Sequence, residues 1–270
     1  MAVSVTMLLV VAAVVVGVAA IGYAAWRDHE RTKNLRDWAR LRGWRYQEVD
    51  TGLPRRLGRH APFNQGRHRY AGDIVTGTVD GRRCRVFDYH YETSSGHGND
   101  REVQHHRVSV VAVDIGARLP HLSLEPETIV TRAWGRVAGD LDTESHAFNQ
   151  AFRVDGEQTM VTTAMLNPQV MSYLLLVRDR LGAYEWQFNN GMLLVLSDQR
   201  FALNRIDLIA HTACQVLDRI PAFVFQDHAI PPGALDAHVP TDARFGGSDL
   251  YGPGGIPGLP RWFNLNLRLR

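Results

Sequence analysis

Lysine is almost absent. Of 30 basic residues only Lys33 is lysine and the other 29 are arginine. So extreme a skew reflects a GC-rich genome, and arginine abundance alone does not indicate nucleic acid. The formal net charge of +2 points the same way, and no nucleic-acid partner is expected. Cysteine is scarce as well: Cys84 and Cys214 stand far apart, with neither metal-finger nor redox spacing. The chain has no GxSxG elbow, no phosphate loop, no GxGxxG opening a helix and no kinase signature. The Gly-rich PGGIPG run lacks both a preceding strand and a following Lys-Ser/Thr, so it is no phosphate cradle. No cofactor is expected, and enzymatic activity is not the favoured reading.

Charge is missing altogether from Val5 to Trp26, VTMLLVVAAVVVGVAAIGYAAW. As a helix, these residues reach about 33 Å, enough to cross a hydrocarbon core of about 30 Å. A second apolar run of that length is lacking, so residues 5–26 are expected to be a single transmembrane helix. Basic residues begin where the run ends. Residues 27–69 hold 12 basic and 5 acidic side chains, and residues 70–270 hold 18 and 23. The positive-inside rule then predicts a single-pass protein of the cell membrane, with the N-terminus outside and the folded part in the cytoplasm. A cleaved signal peptide is the rival; it normally has a basic start and a shorter apolar core.

Ala13, Gly17, Ala20 and Ala24 recur at helical spacing along the apolar segment. Such a stripe suits close approach of a second copy, giving a homodimer through the anchor. GC-rich anchors also carry Ala and Gly without pairing. Residues 27–45 read as a basic juxtamembrane helix. Its Arg27, Arg31, Lys33, Arg36 and Arg40 are expected near anionic headgroups, each contributing about 1 kcal/mol. A plain solvated stalk satisfies the same pattern.

Residues 46–230 carry the signals of an α+β domain, with an antiparallel β-meander and helices packed on the sheet. Residues 44–49 read as a short strand and 53–69, with Pro54, Gly58, Pro62 and Gly66, as a loop. Asp80-Gly81 joins two alternating runs, a hairpin signal, and residues 103–114 form the third strand. Residues 119–124 resemble another strand, 126–137 a helix, and 148–154 a strand. Asn167-Pro168 caps a helix closed by Gly182, Asn190-Gly191 turns a second hairpin, and residues 206–220 form a second amphipathic helix stopped by Pro221. The order suggests two similar halves, 46–125 and 126–230, without a sequence repeat. Residues 236–260 read as a flexible linker. Residues 261–270, RWFNLNLRLR, form an apolar and basic terminal segment suited to docking on an unknown protein partner, on the membrane, or as a last strand.

One polar cluster invites chemistry. Asp88, His90, His97, Asp100, Glu102, His105 and His106 surround the meander tip. His90, His97, His105 and His106 are the candidate metal ligands, though their spacing fits no helical or finger pattern. The bland alternative is a solvated hairpin tip. Cys84 shares a strand face with Asp88 and His90, but six residues of extended chain separate it from His90 by about 20 Å. Two functional classes follow. One is a membrane-anchored binding or scaffold module; the other is a metal-dependent or hydrolase-like enzyme built on the tip histidines and aspartates.

The segments WARLRGWRY, VFDYHYETSSG, LPHLSLEPE and FNQAFRV, placed after an apolar N-terminus, resemble uncharacterised single-span membrane proteins of GC-rich Gram-positive bacteria. The resemblance implies an anchor followed by a cytosolic α+β domain, and it supplies no activity.

Overall fold

The computed structural model describes residues 2–57, 60–95, 102–126, 143–156 and 159–229. Helix α1 runs unbroken from Ala2 to Leu41. No proline interrupts it, and Gly43, at φ 68°, ends it while the Trp44 amide closes back on the Ala39 carbonyl at 2.9 Å. Then come β1 (Arg45–Asp50), the short helix α2 (Leu53–Leu57), and the long strands β2 (Arg67–Val79), β3 (Arg82–Ser95) and β4 (Glu102–Asp114). Next are β5 (Leu122–Pro126), α3 (His146–Ala151), β6 (Phe152–Gly156), α4 (Met160–Met165) and α5 (Pro168–Leu181). The hairpin β7 (Glu185–Asn189) and β8 (Met192–Ser197) precedes α6 (Leu203–Leu217) and α7 (Ala222–Gln226).

All eight strands join one antiparallel sheet in the order β1-β2-β3-β4-β8-β7-β5-β6. The strands assigned to separate halves therefore share a single sheet: β4 pairs with β8, and β5, from the end of the first half, lies between β7 and β6 of the second. Both faces are covered. On one, α5 and α6 bury Val170, Leu174, Ile206, Ile209 and Ala213 against Val86, Val111, Phe188 and Val195. The last turns of α1 join this core through Leu35, Trp38 and Ala39. On the other, Leu53, Leu57 and Phe63 close over Ile74, Phe87, Val110 and Leu194.

Three local expectations change. The stretch read as a loop at 53–69 contains α2, because Asp50 Oδ1 accepts from the Gly52 and Leu53 amides and starts a turn whose leucines are needed as a lid. Residues 148–151 are helical rather than extended. Ser145 caps α3 by accepting from the Phe148 amide, and Phe148 and Phe152 meet at i,i+4 with ring centroids 5.0 Å apart. Pro126 ends β5 instead of opening a helix, and residues 127–137 of that expectation lie outside the described residues. The expected linker 236–260 and terminal segment 261–270 also lie outside them.

Between Leu9 and Trp26 every described side chain of α1 is exposed. Among the described residues this is one helix long and apolar enough to cross a membrane. Ala13, Gly17 and Ala20 lie on that uncovered surface, and the side chain of Ala24 is outside the description.

Candidate functional site

The densest polar arrangement forms where α1 leaves its apolar stretch and meets the sheet. Strand β2 bulges between Gly72 and Val75, and Asp73 takes a positive φ of 51°, a conformation that Asp tolerates better than most residues. The bulge turns the Asp73 carboxylate toward α1. Its Oδ2 accepts from Thr32 Oγ1 at 3.1 Å, and its Oδ1 accepts from the Tyr46 hydroxyl at 2.7 Å. Burial pushes the Tyr46 phenol up, and the bond to Asp73 pushes it further, so Tyr46 stays a donor. The Arg36 guanidinium lies over the Tyr46 ring, 4.6 Å from its centroid.

One step further along the sheet, Asp88 of β3 is 4% exposed. It accepts from Ser109 Oγ at 2.5 Å and from Arg200 Nε at 3.0 Å, and Arg200 reaches on to Asp28 of α1. A buried carboxylate is tolerated only when paired and hydrogen-bonded in this way. Arg31 donates from Nη1 to the Phe201 carbonyl at 3.0 Å, while its buried Nε has no hydrogen-bond partner. Burial disfavours the charged Arg31 guanidinium, Asp88 opposes that, and Arg200 adds to it, with smaller contributions from Asp73 and Arg107.

His90 lies beside this network, stacked on Tyr70 with centroids 4.7 Å apart and planes 4° from parallel. Burial pushes its imidazole down to about 4, partly opposed by Asp88 and reinforced by Arg107 and Arg200. It is therefore a neutral ring near pH 7.

The four candidate metal ligands do not assemble on the described residues. His90 stands opposite Arg107, and Glu92 opposite His105, on the face toward α1. His106 pairs with Tyr91 and so points to the other face, where its ring stacks on Tyr91 at 4.7 Å. His97 lies outside the described residues. Among the described residues no group of three or more His, Cys, Asp or Glu is placed to hold a metal. His105 instead shares Glu92 with His68, at 3.4 and 2.6 Å.

The nucleophile reading of Cys84 meets a similar obstacle. Its thiol is fully buried, and burial pushes it far above the thiolate range, the neighbouring Cys214 adding to the effect. Cys214 is pushed up to about 11, again chiefly by burial. A thiol in either setting stays protonated near pH 7, where nucleophilic attack needs the thiolate.

The arginines grouped by sequence near headgroups divide. Arg27, Lys33, Arg36 and Arg40 remain exposed on α1, with Arg36 3.7 Å from Glu48 and Arg40 3.5 Å from Asp37. Arg31 is instead folded against the domain, because the carbonyl of Phe201 lies on its side of the helix.

A second polar patch on the opposite sheet face escaped sequence reasoning. Glu185 accepts from Gln187 Nε2 at 2.5 Å and from Ser123 Oγ at 3.4 Å. Gln187 also donates to the Ala61 carbonyl at 2.8 Å, and Asn189 to the Leu57 carbonyl at 3.1 Å, tying down the segment that carries Phe63. His60 and His121 stack at 3.3 Å there, and burial pushes His121 down to about 4. The alternation of Glu185, Gln187 and Asn189 along β7 was the available signal.

Burial also pushes Glu185 up, from an ordinary 4.5 to about 6. A carboxyl raised in the folded state holds its proton more tightly there than in the unfolded chain. Its contribution is therefore most favourable below pH 4.5 and is lost as pH rises through about 6. The loss amounts to about 2 kcal/mol. Glu185→Gln should remove that component, so the difference in urea midpoint between variant and parent should grow between pH 4 and pH 7. A difference independent of pH would show that the carboxyl titrates normally.

No protein-family model matches the chain, and no curated protein matches it. The crystal structure of the mycobacterial trehalose monomycolate transport factor A, TtfA, is similar to it with a TM-score of 0.45 and 10% identity. The match covers 74% of this chain and 97% of that one. At that level of similarity no residue role passes from one chain to the other.

Proposed function

We propose that the protein is a single-pass membrane protein whose α+β domain stands on the cytoplasmic side and acts as a binding or scaffold module. The observation that carries this reading is the continuity of α1. One unbroken helix presents an uncovered apolar surface over its first part and enters the domain core through Leu35, Trp38 and Ala39 over its last. An apolar helical surface of that length is stable in a bilayer and costly in water. The arginines concentrated after it support the cytoplasmic placement. Because anchor and domain share a helix, the domain is held at a fixed angle to the bilayer, which suits a module that presents a surface to membrane-bound partners.

The test is fractionation with a topology reporter. The full chain should stay with membranes after alkaline extraction, and a carboxyl-terminal reporter should be active only inside the cell. Release of a shortened chain starting near Trp26, or a reporter active only outside, would overturn the reading. Partner identity is then addressed by affinity capture from native membranes, comparing the parent with a variant in which Arg27, Lys33, Arg36 and Arg40 are neutralised.

A further inference from the structure

The contacts of α1 give the sheet a direction relative to the bilayer. Trp38 packs on Trp44, whose ring lies over Gly77; Thr32 donates to Asp73; Asp28 pairs with Arg200, which holds Asp88. Following α1 toward its apolar part therefore means moving along β2 from Gly77 to Asp73, and along β3 from Cys84, opposite Gly77, to Asp88. Only one residue, Arg27, separates Asp28 from Trp26, where the charge-free stretch ends. Tyr23 and Trp26 are both exposed, with ring centroids 5.9 Å apart, as suits aromatic side chains at a membrane interface.

The β3–β4 hairpin does not stop at that level. Strand β3 runs on from Asp88 to Ser95, a further reach of about 23 Å. Continued alongside α1, it would flank about 15 residues of helix, back to the middle of the apolar stretch. Two observations exclude that course. Every described side chain from Leu9 to Trp26 is exposed, so no strand lies against them. The outer hairpin is also too polar for hydrocarbon: from His90 to Ser95 and from Glu102 to Arg107, only Tyr91 and Val103 are apolar. The hairpin therefore bends away from α1. A sheet that bends away from a helix packed on one face turns that face toward the far end of the helix. Here that face carries Glu92, Ser94, Val103, His105 and Arg107. All but Glu92 are exposed, Val103 at 46%, and β8 pairs with β4 only from Ser109 onward.

We propose that this outer face of the β3–β4 hairpin lies on the headgroup layer of the bilayer, as a second contact beside the anchor. The assignment rests on the anchored reading above. The headgroup layer, about 6 Å deep, is hydrated and rich in oxygen acceptors. It accommodates the polar side chains that hydrocarbon excludes, and it takes a short apolar one such as Val103. Two contacts, one along α1 and one across the hairpin, fix both the tilt and the rotation of the domain on the membrane.

Both native cysteines are buried, so nitroxide labels can be placed on single added ones. The test uses the full chain in nanodiscs of phosphatidylcholine and phosphatidylglycerol that contain a nickel-chelating lipid. It measures nickel-enhanced relaxation of labels at Ser94→Cys, Val103→Cys, Gln104→Cys and Gln169→Cys. Gln169 is exposed in the first turn of α5, whose cap Asn167 bonds the Arg219 carbonyl beside the Arg82–Asp218 pair, at the end of the sheet away from the bilayer. Relaxation at Ser94 and at Val103 should exceed that at Gln169 severalfold. Gln104, on the opposite face of β4, should be relaxed less than Val103. A label at Ser94 or Val103 relaxed no more than one at Gln169, or stronger relaxation at Gln104 than at Val103, would overturn the hairpin contact while leaving the anchor standing. A chain that stays out of the discs would sink the anchored reading and this one together.

Discussion

Asp88→Ala should destabilise the domain by about 3–5 kcal/mol. The carboxylate is 4% exposed and receives both the Ser109 hydroxyl and the Arg200 guanidinium. Its removal leaves Arg200 partly buried with only the exposed Asp28 to pair with, and leaves the Ser109 hydroxyl without its acceptor. Arg31 suffers too, since Asp88 is the foremost group favouring its charge. Ser109→Ala removes one hydrogen bond and should cost about 1 kcal/mol. Arg200→Leu added to Asp88→Ala should restore part of the loss, because the stranded guanidinium goes with its partner. The readout is the urea midpoint of the detergent-solubilised chain, with hydrogen exchange over residues 27–34 to locate the loosening. A change below 1 kcal/mol, or loosening confined to β5–β7, would show that the network does not hold α1 to the sheet.

That network shows where sequence reasoning reached and where it stopped. Local signals were legible. Asp80-Gly81 and Asn190-Gly191 both turn their hairpins with positive φ at each residue, as Asn/Asp-Gly pairs favour. Asn167 caps α5 through its side chain, with Pro168 in the first turn. The apolar run, the meander and the helix expected at residues 206–220, which runs from Leu203 to Leu217, follow from periodicity. Long-range pairings left no such trace. Nothing in residues 102–114 announces that β4 will pair with β8, eighty-odd residues later. Asp88 and Arg200 are 112 positions apart; the sequence grouped Asp88 with the histidines of the hairpin tip and gave no sign of its pairing with Arg200. The bulge that aims Asp73 carries no glycine at the positive-φ position, so the strand reads as regular. The histidines misled for a related reason: proximity in sequence across a hairpin tip says little about which face each side chain takes, and one register step sends His106 away from His105.

The boundary between anchor and domain is the other place where sequence and structure part, and it makes a large prediction. Residues 27–45 read as a basic juxtamembrane helix, with a solvated stalk as the alternative, yet Leu35 is 3% exposed, Trp38 9% and Ala39 fully buried. Trp38 packs edge-on to Trp44 at 5.2 Å and carries the Arg42 guanidinium on its face. Arg42 is in turn paired with Asp207 of α6. A chain beginning at Arg27 keeps all of these contacts and should unfold cooperatively without detergent. One beginning at Gly43 exposes the surface that Leu35, Trp38 and Ala39 cover and gives up the bonds from Asp28, Arg31 and Thr32. The apolar loss alone is about 5 kcal/mol, comparable with the whole stability of an ordinary domain. That chain should show no cooperative transition and should bind hydrophobic dye. Equal urea midpoints for the two would mean that the end of α1 is a dispensable stalk; the domain would then swing freely on its anchor, and a fixed presentation at the membrane would have no structural basis.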